Sequence, residues 1–272
     1  MQTSYSAHPD NAFAGMVADI SAADIVSKIC NVRQLFSVAV TTEYNSEIFT
    51  VTINGNAYAY TSDTNGTKAE IAAGIKALID AGDDDVTVTL FTTSETDDSF
   101  YIEPTSYDAD ELAVTITNPS NGVLTLTELI AYGQTIPFGS VVCEDERASA
   151  GSQGKREGVR LPRLAADVTT LGKTQGIAIA DTSKVAEAAG YVAGEGVPVL
   201  KKGRVWVHVE DVASVALGGL VYVRRVAGAG ESLGAIRAVD DSSDTDVLPY
   251  QQCHFTGQKI TALGLAIIEL DL

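Results

Sequence analysis

The chain has 272 residues, 45% of them hydrophobic and 20% charged, which is ample for one large or two ordinary domains with a real core and argues against general disorder. Its net charge of −18 argues against wrapping DNA or RNA, where affinity for phosphate comes mainly from Lys and Arg, and against binding anionic membrane surfaces. No nucleic-acid or membrane partner is therefore expected.

The N-terminus, MQTSYSAHPDNAF, lacks the basic and apolar regions of a secretory signal, and no run reaches the ~18 apolar residues of a membrane span. Synthesis in a cytoplasm is the expectation. Residues 1–19 mix polar and small residues without a period, and Pro9 and Gly15 disfavour a long helix, so the segment reads as an extended arm. Ser21 then precedes AADIVSKIC, where Ile25, Val26 and Ile29 form an apolar stripe with Asp24 as an imperfect capping partner. That pattern predicts a short helix, and residues 1–35 read as an arm and helix belonging to a parent β domain.

From Phe36 the texture changes, and residues 36–132 read as a compact α+β insert. Between Thr41 and Ala131 only Lys68 and Lys76 stand against sixteen acidic residues, so most of the net charge is local. FTVTINGNAYAYT alternates around Asn54-Gly55, the dipeptide of a type I′ hairpin turn, and predicts two antiparallel strands. Thr67 is placed to cap TKAEIAAGIKALIDAG, with Ile71, Ile75, Leu78 and Ile79 on one face and Gly82 as the stop. VTVTLFTT, SFYIEP, ELAVTIT and VLTLTEL supply further strands.

After Gly133 the chain reads as all β, with IPFGSVVCED, TQGIAIAD, VPVLKKGRVWVHVE, GLVYVRRV, AIRAVD and GLAIIELDL punctuated by Gly and Pro. The fold class expected is mainly β: a small barrel or sandwich-like parent domain, residues 1–35 and 133–272, interrupted by the insert. Between the first two strands, ASAGSQGKREGVRLPR reads as a solvated, locally basic loop. In Val197–Glu210 the side chains of Val205, Val207 and Val209 fall on one face and Arg204, Trp206, His208 and Glu210 on the other. Lys201-Lys202-Gly203 predicts a tight turn with Gly203 at positive φ. The only Trp of the chain, set between charges, fits either a surface that meets another protein or a barrel strand whose Trp covers a neighbouring loop.

Residues that carry chemistry do not assemble into a recognisable constellation. Cys30, Cys143 and Cys253 are odd in number and widely spaced, and read as small buried hydrophobes. His8, His208 and His254 have no partner at metal-ligand spacing. GSQGKREG lacks the first Gly and the Ser/Thr of a phosphate loop, and GAGESLG has the wrong spacing for a dinucleotide turn. Asp83–Asp85 and Asp240–Asp246 hold oxygen ligands of the kind calcium prefers, without EF-hand spacing or its closing Glu, and read as solvated acidic loops. The protein is expected not to be an enzyme, with no catalytic, cofactor or metal site assigned.

Several segments, in order, resemble the structural cement or decoration proteins of tailed bacteriophage heads: MQTSYSAHPDNAFAGMVAD, IPFGSVVCED, GVRLPR, TQGIAIAD, VPVLKKGRVWVHVED, GGLVYV and ALGLAIIELDL. The resemblance covers residues 1–35 and 133–272; the segment between departs from the simpler members and is similar to small domains that recur in phage structural proteins. It implies a non-enzymatic virion protein on the outer surface of the capsid, with the major capsid protein and its own copies, as homodimer or homotrimer, as partners. It implies stabilisation of the expanded head, with Tyr5, Phe13, Met16, Arg204, Trp206 and His208 as the capsid or subunit interface. The competing reading is a tail or receptor-binding component whose insert contacts the host through an aromatic groove of Tyr58, Tyr60, Tyr101 and Tyr107.

Overall fold

The computed structural model describes residues 12–83, 85–90, 98–107, 109–144, 158–162, 165–169, 173–181, 190–226, 232–242, 244–249 and 252–272. The chain divides into two compact units, one of Met1–Asn31 with Thr135–Leu272 and the other of Val32–Gln134.

The first unit begins with a strand, β1 (Val17–Cys30), where a short helix was expected after Ser21. Positions 25 and 29 share a side in a helix and in a strand alike, so the apolar pattern did not separate the two. The strand prevails because β1 pairs in parallel with Gly158 and Val159 and antiparallel with residues 196–205, satisfying backbone groups along both edges. Its β-branched residues also suit extended backbone. Ile25 and Ile29 consequently face outward and are exposed rather than lining a helical stripe.

The second unit contains β2 (Leu35–Thr42), β3 (Ile48–Ile53), β4 (Asn56–Thr61), α1 (Lys68–Gly82), β5 (Val86–Leu90), β6 (Ser99–Pro104), β7 (Val114–Thr117) and β8 (Val123–Ile130). Two sheets form, in the orders β5-β6-β2-β8 and β4-β3-β7. Ile53 pairs with Asn56 across a two-residue turn whose Asn54 and Gly55 have φ of 49° and 86°, the left-handed pair of a type I′ hairpin. Thr67 caps α1 through a complete capping box with Glu70. Ile71, Ala72, Ile75 and Ile79 bury against Val38, Phe49, Val51, Phe100 and Ile102. Leu78, expected in that stripe, lies at its margin and is exposed, and Ala72 takes the inner position. Gly82 does not stop the helix but ends it in helical conformation; Asp83 is the extended C-cap, donating its N–H to the Ile79 carbonyl.

The first unit resumes with β9 (Ile136–Pro137), β10 (Val141–Glu144), β11 (Gly158–Arg160), α2 (Ala165–Thr169), β12 (Thr174–Ala178), β13 (Gly190–Tyr191), β14 (Gly196–His208), β15 (Tyr222–Arg224), β16 (Ile236–Arg237), β17 (Thr245–Val247), β18 (Cys253–Ile260) and β19 (Leu265–Asp271). The main sheet runs β1-β11-β10-β12-β14-β19-β18, and β1 also pairs with β14, so five strands close into a barrel-like ring from which β19 and β18 extend. The protein is mainly β. The basic loop expected over residues 148–163 ends in β11, whose three residues are buried; residues 145–157 and 163 lie outside the described residues.

β14 organises this unit. The turn expected at Lys201-Lys202-Gly203 is absent, and the strand is continuous for 13 residues. Gly203 does take a positive φ of 122°, but as an irregularity opposite β1: a Cβ there would lie 3.2 Å from the Ala23 Cα, in the stretch where the β1 register slips between Asp19 and Asp24. Val205, Val207 and Val209 point into the core beside Phe255, Ala266 and Ile268.

Candidate functional site

The outward residues of β14 sit in register with those of its neighbours, and each row of the sheet has its own chemistry. Arg204 pairs with Glu269 and Glu269 with His254; the Arg204 guanidinium lies 3.0 Å from the Glu269 carboxylate and His254 Nε2 lies 4.0 Å from it. In the next row Trp206 stands opposite Ile267, which is only 4% exposed although it lies on the outer face. In the third row His208 stands opposite Leu265, itself paired with Ile260. A polar row therefore flanks an apolar one, the core-and-rim layout of protein contact surfaces.

The N-terminal segment completes this face. Gly15 N–H donates to the Trp206 carbonyl at 2.7 Å and Trp206 N–H donates to the Met16 carbonyl at 2.8 Å. Met16 N–H donates to the Phe13 carbonyl at 3.1 Å, closing a turn in which Gly15 has φ of 80°. A Cβ on Gly15 would come within 2.7 Å of the Ala180 nitrogen, so no other residue fits. Residues 15–19 are thus tied to the protein's own sheet rather than forming a free arm; residues 1–11 of the expected arm lie outside the described residues. Of the six expected interface residues, Met16 and Trp206 are joined by backbone hydrogen bonds, Arg204 and His208 share the Trp206 face, and Phe13 is half-buried at the turn. Tyr5 lies outside the described residues.

No group of three or more His, Cys, Asp or Glu side chains converges as a metal site among the described residues. The three cysteines are buried thiols, and Cys30 Sγ donates to the Tyr191 carbonyl at 3.5 Å. Burial pushes the Cys143 thiol up to about 12, with the Asp167 carboxylate adding to the effect, so it stays neutral and unreactive at ordinary pH. Burial likewise raises Cys253.

Buried charge in the first unit is paired. Arg160 and Asp167 form a two-pronged ion pair at 2.7 and 2.8 Å, with side chains 2% and 1% exposed. Arg224, fully buried, reaches Glu210 at 2.8 Å and Asp241 at 3.0 Å, while Arg237 bonds the same Asp241 at 2.8 Å. Asp246 pairs with Arg225. Two carboxylates of the Asp240–Asp246 run therefore serve as structural anions. The sequence signal for this was an arginine at the end of the apolar strand YVR: Arg224 is fully buried there, and a charge so placed cannot stand unpaired.

In the second unit, of the four tyrosines considered for a host-binding groove, Tyr101 lies half-buried in β6 opposite Ser37 and Thr89, and the other three have separate duties. Tyr58 is buried with its hydroxyl donating to Asp83, and Tyr60 hydrogen-bonds Glu70, a bond that pushes its hydroxyl up to about 12. Tyr107 is exposed and carries the Arg33 guanidinium 4.7 Å above its ring. A cavity of about 580 Å³ in this unit is lined by Asn54, Asp85, Thr105, Ser106, Ala109, Asp110 and Leu112, with none of these tyrosines in its wall.

The family model described as "Structural cement protein (E217 gp24/Pam3 gp6)" matches residues 105–271, more than half of the chain. The match starts just after β6 and takes in β7 to β19, including the Arg204/Trp206/His208 face; residues 1–104 lie outside it. No curated protein matches the chain.

Proposed function

The chain belongs to the structural cement protein family of bacteriophages, and from that premise we propose that it binds the outer surface of the major capsid lattice and stabilises the expanded head. The observation that carries this reading is the family match over residues 105–271, which contains the mixed apolar and charged face of β14, β18 and β19. The family role is structural and places the protein with the capsid lattice of the virion.

The mechanism proposed is mass action. A protein that binds only the expanded lattice lowers the free energy of that state and of no other. Repetition over many symmetric sites multiplies a modest contact. The contact surface proposed is Trp206 with Met16 and Phe13, rimmed by Arg204 and His208, with Tyr5 preceding them in the chain. Trp and Arg are the residues most often found to dominate such contacts. Assembly as a dimer or trimer on a symmetry axis fits the role. The acidic second unit would keep a densely decorated particle soluble.

The test is co-sedimentation of the purified chain with expanded and unexpanded heads lacking it. Saturable binding to expanded heads alone, with a higher melting temperature of the particle, is expected. Equal binding to both forms, or to neither, sinks the proposal. Trp206→Ala is expected to weaken binding at least tenfold without lowering the melting temperature of the free protein by more than a few degrees.

A further inference from the structure

The most exposed large hydrophobic residue in the described structure is Leu217, 83% accessible, and the loop that carries it is built rather than loose. From Val212 to Val223 the chain runs VASVALGGLVYV, twelve residues without a charge in a protein of net charge −18. Val212, Val215 and Val221 are buried and root the loop in the core, while Ala213, Ser214, Ala216, Leu217 and Leu220 face solvent.

Leu217 and Gly218 form the tip of a turn closed by Gly219 N–H to the Ala216 carbonyl at 3.0 Å, with Gly218 at φ of 71° as the third position of a type II turn requires. The tip is docked on β18 by Gly218 N–H to the Phe255 carbonyl at 2.8 Å and Phe255 N–H to the Gly219 carbonyl at 3.0 Å. Lys259 Nζ donates to the carbonyls of Ala213 and Val215 at 2.8 and 2.9 Å. Beneath the tip, β18 departs from regular register between Phe255 and Lys259, and Gly257 has φ of 83°. A Cβ on Gly257 would lie 3.1 Å from the Cα and Cβ of Leu217. The strand is therefore shaped to seat this loop, and a leucine held out by a rigid frame loses little conformational entropy on docking.

We propose that Leu217 is a docking knob that enters an apolar cleft of the capsid lattice, a contact separate from the Trp206 face. The inference rests on the cement reading above. The loop lies inside residues 105–271, the part shared with the cement family, whose role is association with the lattice. A second copy of this chain is the poorer receptacle. The cavity of about 580 Å³ in the second unit is lined by Asn54, Asp85 and Asp110, against which burying a leucine leaves carboxylates desolvated. A charge-free knob gains from burial without desolvating a charge of its own.

The experiment measures binding of the full chain to expanded heads lacking it, for wild type, Leu217→Ala, Leu217→Met and Leu78→Ala, the last a control on an exposed leucine of the second unit. Leu217→Ala is expected to weaken binding roughly tenfold or more, the loss that goes with unburied aliphatic surface. Leu217→Met is expected to stay within about threefold, since it keeps volume and polarity, and Leu78→Ala to match wild type. The Leu217 variants should melt as wild type does, because Leu217 is 83% accessible and contributes little buried area to the fold. If wild type binds heads and Leu217→Ala binds as well, the knob is refuted while the cement reading stands. If wild type does not bind, both fall. If Leu217→Ala leaves head binding unchanged but abolishes self-association in sedimentation equilibrium, the partner is a second copy and the proposal is overturned.

Discussion

Replacing Asp167 by Asn tests whether the first unit depends on its buried ion pair. Arg160 and Asp167 are 2% and 1% exposed, and their two contacts of 2.7 and 2.8 Å leave each charge compensated by the other. Asn keeps the size and one acceptor but strands the guanidinium in the interior, a change that costs about 3–5 kcal/mol when one partner of a buried pair is removed. The backbone part of the site should survive, because the Asp167 carbonyl that accepts from Cys143 Sγ and from Thr174 Oγ1 is untouched. In a domain of this size each kcal/mol moves Tm by about 2–4 °C, so scanning calorimetry should show a fall of roughly 6–20 °C. Arg160→Met combined with Asp167→Leu removes both charges at similar volume and should recover most of the loss. A single variant within about 1 kcal/mol of wild type, or a double variant no more stable than the single, would refute the reasoning.

Alkali should weaken the fold from about pH 9. The Cys143 thiol is held up to about 12 by burial and by Asp167, against an ordinary 9.0, so the folded state keeps its proton where the unfolded chain releases it. That contribution is complete below the ordinary value and lost as pH rises toward the folded one, roughly 1 kcal/mol by pH 10; thermal midpoints between pH 7 and 10 should fall less steeply in Cys143→Ala. Gly176→Ala should prevent stable folding of the first unit, since φ is 139° and a Cβ would lie 2.1 Å from the Leu200 carbonyl oxygen; a soluble variant with native near-ultraviolet circular dichroism would contradict this. Thr67→Ala removes the capping box of α1 and should destabilise the second unit by about 1 kcal/mol in urea titration, with the m-value unchanged.

The second unit was the more legible in sequence because its signals are local. Asn54-Gly55 and the Thr67–Glu70 box specify their own turn and cap, and both are seen. The first unit is held by pairings remote in sequence, and there local pattern misled. β1 read as a helix because Ile25 and Ile29 share a side in either conformation, and its partners lie far away in β11 and β14. β18, CHFTGQKI, carries no clean alternation because Gly257 breaks its period to make room for the loop at Leu217. The Trp206 face was readable from the period of two in β14; that Met16 would lie beside it was not, since a pair of backbone hydrogen bonds leaves no mark on side-chain pattern.

Display in many copies on one particle, as proposed above, carries a hazard that the topology addresses. Free strand edges at high local concentration invite edge-to-edge pairing between copies. In the main sheet β1 pairs with both β11 and β14, which closes five strands into a ring and leaves β18 as the terminal strand of the order. That remaining edge is irregular at Gly257 and is engaged at Phe255 and Lys259 by the loop from Ala213 to Gly219. Strand addition is thereby disfavoured along this sheet, which leaves the recognition proposed above to side chains, at the Trp206 face and the Leu217 tip. Side-chain contacts of that kind select a partner by shape, whereas an open edge would accept any extended chain.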